Sequence, residues 1–151
     1  MYHKDVIKYI KKTYSKLGFD FDDQMEVDNS MRFIHTFNHN GDKIELFSFY
    51  QKNGIILVDT LPIEIPKDRV SYVNKLVNII NYQNTLSRYV INEDGDVSHL
   101  RLHGVVIISP DTKFLLKMIV ENHIETYIRD FPLLVELMKP DTNPETFLDF
   151  I

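Results

Sequence analysis

The 151 residues include no cysteine, which excludes disulfides, thiolate metal sites and cysteine nucleophiles and fits a reducing, cytoplasmic setting. Long apolar runs are missing as well. The opening Met1-Tyr2-His3-Lys4-Asp5 leads into alternating charged and apolar positions, too polar for a signal peptide or a membrane span, so the chain reads as soluble and untargeted. Positive charge is in deficit. With 17 Lys and Arg against 22 Asp and Glu the net charge is −5, which argues against a general nucleic-acid binder, because affinity for a phosphate backbone comes from clustered cations. Glycine is scarce, and four of the five, Gly18, Gly41, Gly54 and Gly95, fall where a helix end or a tight turn is expected. No glycine-rich phosphate loop, Gly-x-Ser-x-Gly elbow or His-Glu-x-x-His motif occurs. The fifth glycine, Gly104, lies inside a predicted strand, where a bulge or a close approach by another backbone is expected.

What is present is periodicity. Val6, Ile7, Ile10, Tyr14 and Leu17 fall at helical spacing among Lys4, Lys8, Lys11, Lys12 and Lys16, predicting an amphipathic helix over 3–17 with a solvated lysine surface, ended by Gly18. Asp20, Asp22, Asp23, Glu26 and Asp28 form an acidic connector without the glycine that a calcium loop needs, and 25–28 can start a strand. From Met31 to Leu61 three strands are punctuated by Asn40-Gly41 and Asn53-Gly54. As two-residue loops these put Phe33, Phe37, Ile44, Leu46, Tyr50, Leu57 and Leu61 on one face. Ile34, Phe47, Phe49, Ile56 and Val58 then share the other. Both faces are apolar, so the second must be covered or must meet another chain.

The stretch 67–108 is the organising unit. Asp68 is placed to cap a helix whose Val70, Val73, Val77 and Ile80 form one buried stripe and which stops near Asn84. Asn74, Asn78 and Asn81 border that stripe, and since Asn is a poor helix former, hydrogen bonding to a neighbouring strand or loop is expected. Strands over 86–92 and 97–108 are joined at Asp94-Gly95. A two-residue loop there sets Arg88 opposite Arg101, Val90 opposite His99, Leu86 opposite His103, Tyr89 opposite Leu100 and Ser87 opposite Leu102. Ser109-Pro110-Asp111 reads as the start of a helix carrying Phe114, Met118, Tyr127, Leu134 and Met138. Pro132 is expected to kink or restart it, with Asp130 as a cap, and the tail over 140–151 is apolar enough to dock.

The pairs His35/His39 and His99/His103 have metal-chelating spacing only on a helix. On a strand four residues span about 13 Å, so solvent- or partner-facing histidine is the reading, and neither a metal nor a cofactor is expected. The sharper candidate is the outer face of the second hairpin. Arg88 facing Arg101, with His99 and His103 alongside, would receive a carboxylate or phosphate from a partner, or a carboxylate of the chain itself, from the acidic connector or Glu45.

The order helix, three-stranded meander, helix, hairpin, long helix resembles the YbjN-like family, which shares the fold of the class I type III secretion chaperones. The residues that carry the likeness are Val73-Asn74-Lys75-Leu76-Val77-Asn78-Ile79-Ile80-Asn81, Arg88-Tyr89-Val90-Ile91 before Asp94-Gly95-Asp96-Val97, and 109–138 with Asp130-Phe131-Pro132-Leu133-Leu134. The resemblance spans roughly residues 1–140. It implies one α+β domain over 1–151, with a convex antiparallel sheet of about five strands in the order α-β-β-β-α-β-β-α and helices mainly on one face. It further implies a non-catalytic, chaperone-like or regulatory protein- or peptide-binding role, in a homodimer. The candidate partner-binding residues are Arg88, His99, Arg101, His103, Phe47 and Phe49. The alternative is a small-ligand sensor with an apolar pocket between the sheet and the last helix, lined by Phe114, Met118 and strand residues.

Overall fold

Helix α1 (His3–Lys16) buries Val6, Ile10 and Tyr14, the stripe its spacing predicts. It closes around Gly18, at φ +86°: the Phe19 N–H donates to the Tyr14 carbonyl at 3.0 Å and the Gly18 N–H to the Ser15 carbonyl at 3.1 Å, the paired bonds of a Schellman end. Phe19 then packs edge-on against Tyr14, ring centroids 5.3 Å apart, and so directs the chain into strand β1 (Asp20–Val27). The acidic segment is therefore an edge strand rather than a connector. In this computed structural model the described residues are 3–27, 30–51, 54–84, 86–107, 109 and 114–151. Asn53, Pro110 and Asp111, on which two of the expected turn and cap positions depend, lie outside them, as do Asp28 and Ile108.

Strands β2 (Ser30–His39) and β3 (Asp42–Gln51) meet through Asn40-Gly41, both at positive φ, as a type I′ turn requires. The next hairpin differs from expectation. Strand β4 (Ile55–Thr60) pairs Tyr50 with Ile56 and Ser48 with Val58, which leaves three residues in the loop, with Gly54 at φ +89°. One extra loop residue exchanges the two faces of a strand. Ile56 and Val58 accordingly lie fully buried beside Leu46 and Tyr50, and Leu57 turns outward beside Phe49.

Strand β5 (Ile63–Ile65) continues the lane of β4 after Leu61-Pro62, because both pair with the same edge of β7 (Val97–Ile107), while β6 (Ser87–Asp94) takes β7's other edge. The sheet thus holds seven antiparallel strands rather than about five, the additions being β1 and the short β5. In the last hairpin Asp94 pairs with Val97, so the turn is Gly95-Asp96 with only Gly95 at positive φ, the type II′ arrangement. Arg88 consequently faces His103, not Arg101, which faces Val90.

The four described helices pack on one side. Buried residues of α1 and of α3 (Leu115–Met138) join Phe33, Leu46, Ile56 and Val106, and those of α2 (Val70–Gln83) and α3 join Ile65, Tyr89, Leu100 and Leu102, with Phe147 and Leu148 of α4 (Pro144–Asp149) packed against them. A 3-10 turn (Lys67–Arg69) precedes α2, and Asp68 makes no capping hydrogen bond. Arg69 is buried, and donates to the Pro140 carbonyl just beyond the end of α3. Asn81 is the one of the three asparagines that reaches a strand: its Nδ2 donates to the Tyr89 carbonyl and its Oδ1 accepts from the Tyr89 N–H, each at 2.8 Å, so it occupies the free edge of β6 as a ladder partner would. Helix α3 runs unbroken through Pro132, and Asp130 is no cap but is bound by the neighbouring Arg129 at 2.6 and 2.8 Å.

Candidate binding face

The side of the sheet away from the helices carries Phe47 and Phe49 on β3, Ile34 on β2, Leu57 on β4 and Val105 and Ile107 on β7. Strand alternation puts them there, and cross-strand pairing makes them contiguous: Phe49 is beside Leu57 and Leu57 beside Val105, while Ile34 is beside Phe47. Among the described residues no helix packs over Ile34, Phe47, Phe49 or Leu57, and α3 adjoins the face only at its Val105–Ile107 end. Val105 is 49% and Ile107 62% exposed, and the two phenylalanines are half-buried by their neighbours within the sheet.

A polar cluster borders the apolar strip. Asp59, beside Phe47 in the ladder, accepts from the Arg101 guanidinium and lies 2.6 Å from His103 Nδ1. At that distance from a carboxylate Nδ1 must carry the proton, so the 3.2 Å approach of Arg101 to the same nitrogen is a contact between donors. Arg101 also donates to Asn92 Oδ1 at 2.9 Å. One carboxylate therefore serves two donors, and it comes from β4, not from Glu45 or the acidic strand. Arg88 is exposed and has no carboxylate partner among the described residues. His99 is half-buried opposite Asn92, with Glu64 of β5 on its other side. The six candidate residues thus share one face, but Arg88 and Arg101 are not a facing pair.

Two further histidines are inside. His35 lies with Phe33 and Phe37 on the helix side, stacked under Tyr14 with ring centroids 3.8 Å apart, rather than facing solvent or a partner. Burial, and secondarily Lys11, lowers its pKa to about 4. His123 of α3 donates from Nε2 to the Leu102 carbonyl at 3.3 Å and accepts the Ser87 hydroxyl at Nδ1. Burial is the main cause that lowers its pKa to about 4. A hydroxyl bonded to an imidazole is the geometry of an activated nucleophile, but Ser87 and His123 are both fully buried, out of reach of any substrate. The Asp59–His103 pair is half-exposed, with no serine or threonine hydroxyl bonded to it among the described residues. Nor do three metal-ligating side chains converge among those residues. His123 could have been placed in the core from its spacing, since Ile119, His123, Thr126 and Asp130 follow one stripe. His35 alternates with two phenylalanines and carries the same signal.

Two apolar clefts flank α3. One, of about 420 Å³, lies at its start and includes Met118, Leu86 and Val105; Phe114 stands outside it, 56% exposed. The other, of about 360 Å³, lies between the middle of α3 and the β2–β3 hairpin. No described helix is long and apolar enough to cross a membrane.

No protein-family model and no curated protein matches this chain. Among solved structures it is similar to the crystal structure of YbjN from E. coli, described as a candidate transcription regulator, with a TM-score of 0.55 and 15% identity over 80% of this chain and 84% of that one. The likeness is one of architecture, and the chain has a YbjN-like fold.

Proposed function

We propose that this protein is a non-catalytic binding module that holds a segment of another protein against the outer face of its sheet, in a regulatory or chaperone-like role. The carrying observation is that no described helix packs over Ile34, Phe47, Phe49 and Leu57, and that α3 reaches the strip only at its far end, where Val105 and Ile107 remain 49% and 62% exposed. A sheet face left to water ordinarily alternates to polar residues, and a contiguous apolar patch on such a face marks an interaction surface. Charge narrows the occupant. Asp59 is already shared by Arg101 and His103, and the exposed Arg88 stands one strand away, so a partner with apolar side chains and a carboxylate beside them complements the face. A regulatory role is in keeping with the description of YbjN.

The test places a photo-crosslinking residue at Phe49, on the same face, and repeats the capture in that background with Val105→Asp and with Arg88→Ser. A crosslinked protein whose retention falls with both substitutions, while a control at Tyr82 on α2 retains it, supports the reading. Crosslinking only to a second copy of the chain would make the face a homodimer interface instead, and retention unaffected by Val105→Asp would remove the face from consideration.

A further inference from the structure

Pro132 sits in the interior of α3, and the helix continues through it. Proline has no N–H, so the carbonyl of Ile128 has no backbone donor four residues on, and the proline ring crowds that carbonyl away from the helix axis. Ile128 and Pro132 both line the cleft of about 360 Å³ between α3 and the β2–β3 hairpin, so the helix face that carries this carbonyl forms part of the cleft wall. The rest of the wall is apolar: Ile44, Val135 and the rings of Tyr127 and Phe131, stacked with centroids 4.2 Å apart and planes 15° from parallel. His39 and Lys43 stand at the rim, where the Lys43 ammonium is bound to Glu45 at 2.7 Å. The volume is at the small end of the roughly 300–1,000 Å³ of ligand pockets. Flat and branched apolar walls, no lining carboxylate and a backbone acceptor without its usual donor four residues on are complementary to a planar molecule with a single N–H donor.

We propose that this cleft binds a small planar aromatic heterocycle of the indole type, its ring against Phe131 and its N–H donated to the Ile128 carbonyl. The site lies on the helix side of the sheet and does not depend on the outer-face reading.

Titration of the isotope-labelled protein with indole and with 1-methylindole, followed by amide chemical shifts, tests it. Saturable shifts confined to 39–44 and 127–135 are expected, with 1-methylindole about tenfold weaker for want of the hydrogen bond. In Pro132→Ala a restored N–H occupies the Ile128 carbonyl, so the preference for indole disappears, and the fold is not put at risk because alanine is the better helix former. The proposal is overturned by shifts centred elsewhere, by equal affinities in the wild type, by a preference that survives Pro132→Ala, or by the absence of saturable shifts with either probe.

Discussion

Gly104 of β7 lies directly under His123 of α3: a Cβ at residue 104 would stand 2.7 Å from the imidazole Cε1 and 2.7 Å from Ile119 Cδ1. The ladder on both sides of Gly104 is regular, so the glycine is there for the approach of helix side chains, not for a bulge or another backbone. His123 has little freedom to move aside, because Ser87 and the Leu102 carbonyl hold its two nitrogens. Gly104→Ala should therefore cost about 2 kcal/mol, the range of an overpacked core. Urea denaturation measures it, and pairing with Ile119→Val should return part of the loss, a non-additivity expected only if the clash is the cause.

The two buried histidines set a pH dependence. Each has a folded pKa near 4 against an ordinary 6.5, so between those values the unfolded chain binds protons that the folded chain refuses. Stability is then complete above about pH 6.5 and falls as the pH drops toward 4, by on the order of 3 kcal/mol for each ring. Denaturation midpoints across that window should decline with falling pH, and His123→Asn should flatten the slope. A pH-independent midpoint would contradict the neutral, buried assignment.

How much of this was legible depends on loop length. Asn40-Gly41 is readable because both of its residues take the positive φ of a two-residue turn. Asn53-Gly54 offers the same dipeptide but belongs to a loop one residue longer, and a dipeptide does not report how many residues flank it. That single residue moves Ile56 and Val58 into the core and brings Asp59 out beside Arg101. Asp94-Gly95-Asp96 contains two overlapping turn signals, and the chain uses the second. The faces survive that choice while the partners shift, which is why the hairpin's candidate residues share a side but Arg88 meets His103. Helix stripes have no register to slip, and those of α1 and α2 are read directly; in α3 the stripe is displaced, with Phe114 and Met118 exposed and Leu116, Val120, His123 and Leu137 buried.

Asn81 protects an edge, and its two amide bonds to Tyr89 should be separable by chemistry. Asn81→Ala removes both and is expected to cost about 1–2 kcal/mol. Asn81→Asp keeps an acceptor for the Tyr89 N–H but sets a carboxylate against the Tyr89 carbonyl, so it should cost more than alanine. Hydrogen exchange at the Tyr89 amide is the direct readout, with faster exchange in the alanine variant than in the wild type.

Arg88 and Arg101 should part company when stability and binding are measured together. Arg101→Ser leaves Asp59, whose side chain is only 18% exposed, with the His103 hydrogen bond alone, and should lower stability by about 1 kcal/mol. Arg88→Ser touches an exposed side chain without a carboxylate partner among the described residues, and its effect on stability should stay within about 0.5 kcal/mol. If the face binds an acidic segment, Arg88→Ser weakens capture at unchanged melting, whereas the double substitution to serine loses both. Equal melting of the two single variants would mean that the Asp59–Arg101 bond contributes nothing to the fold, and that this cluster is held together for its partner alone.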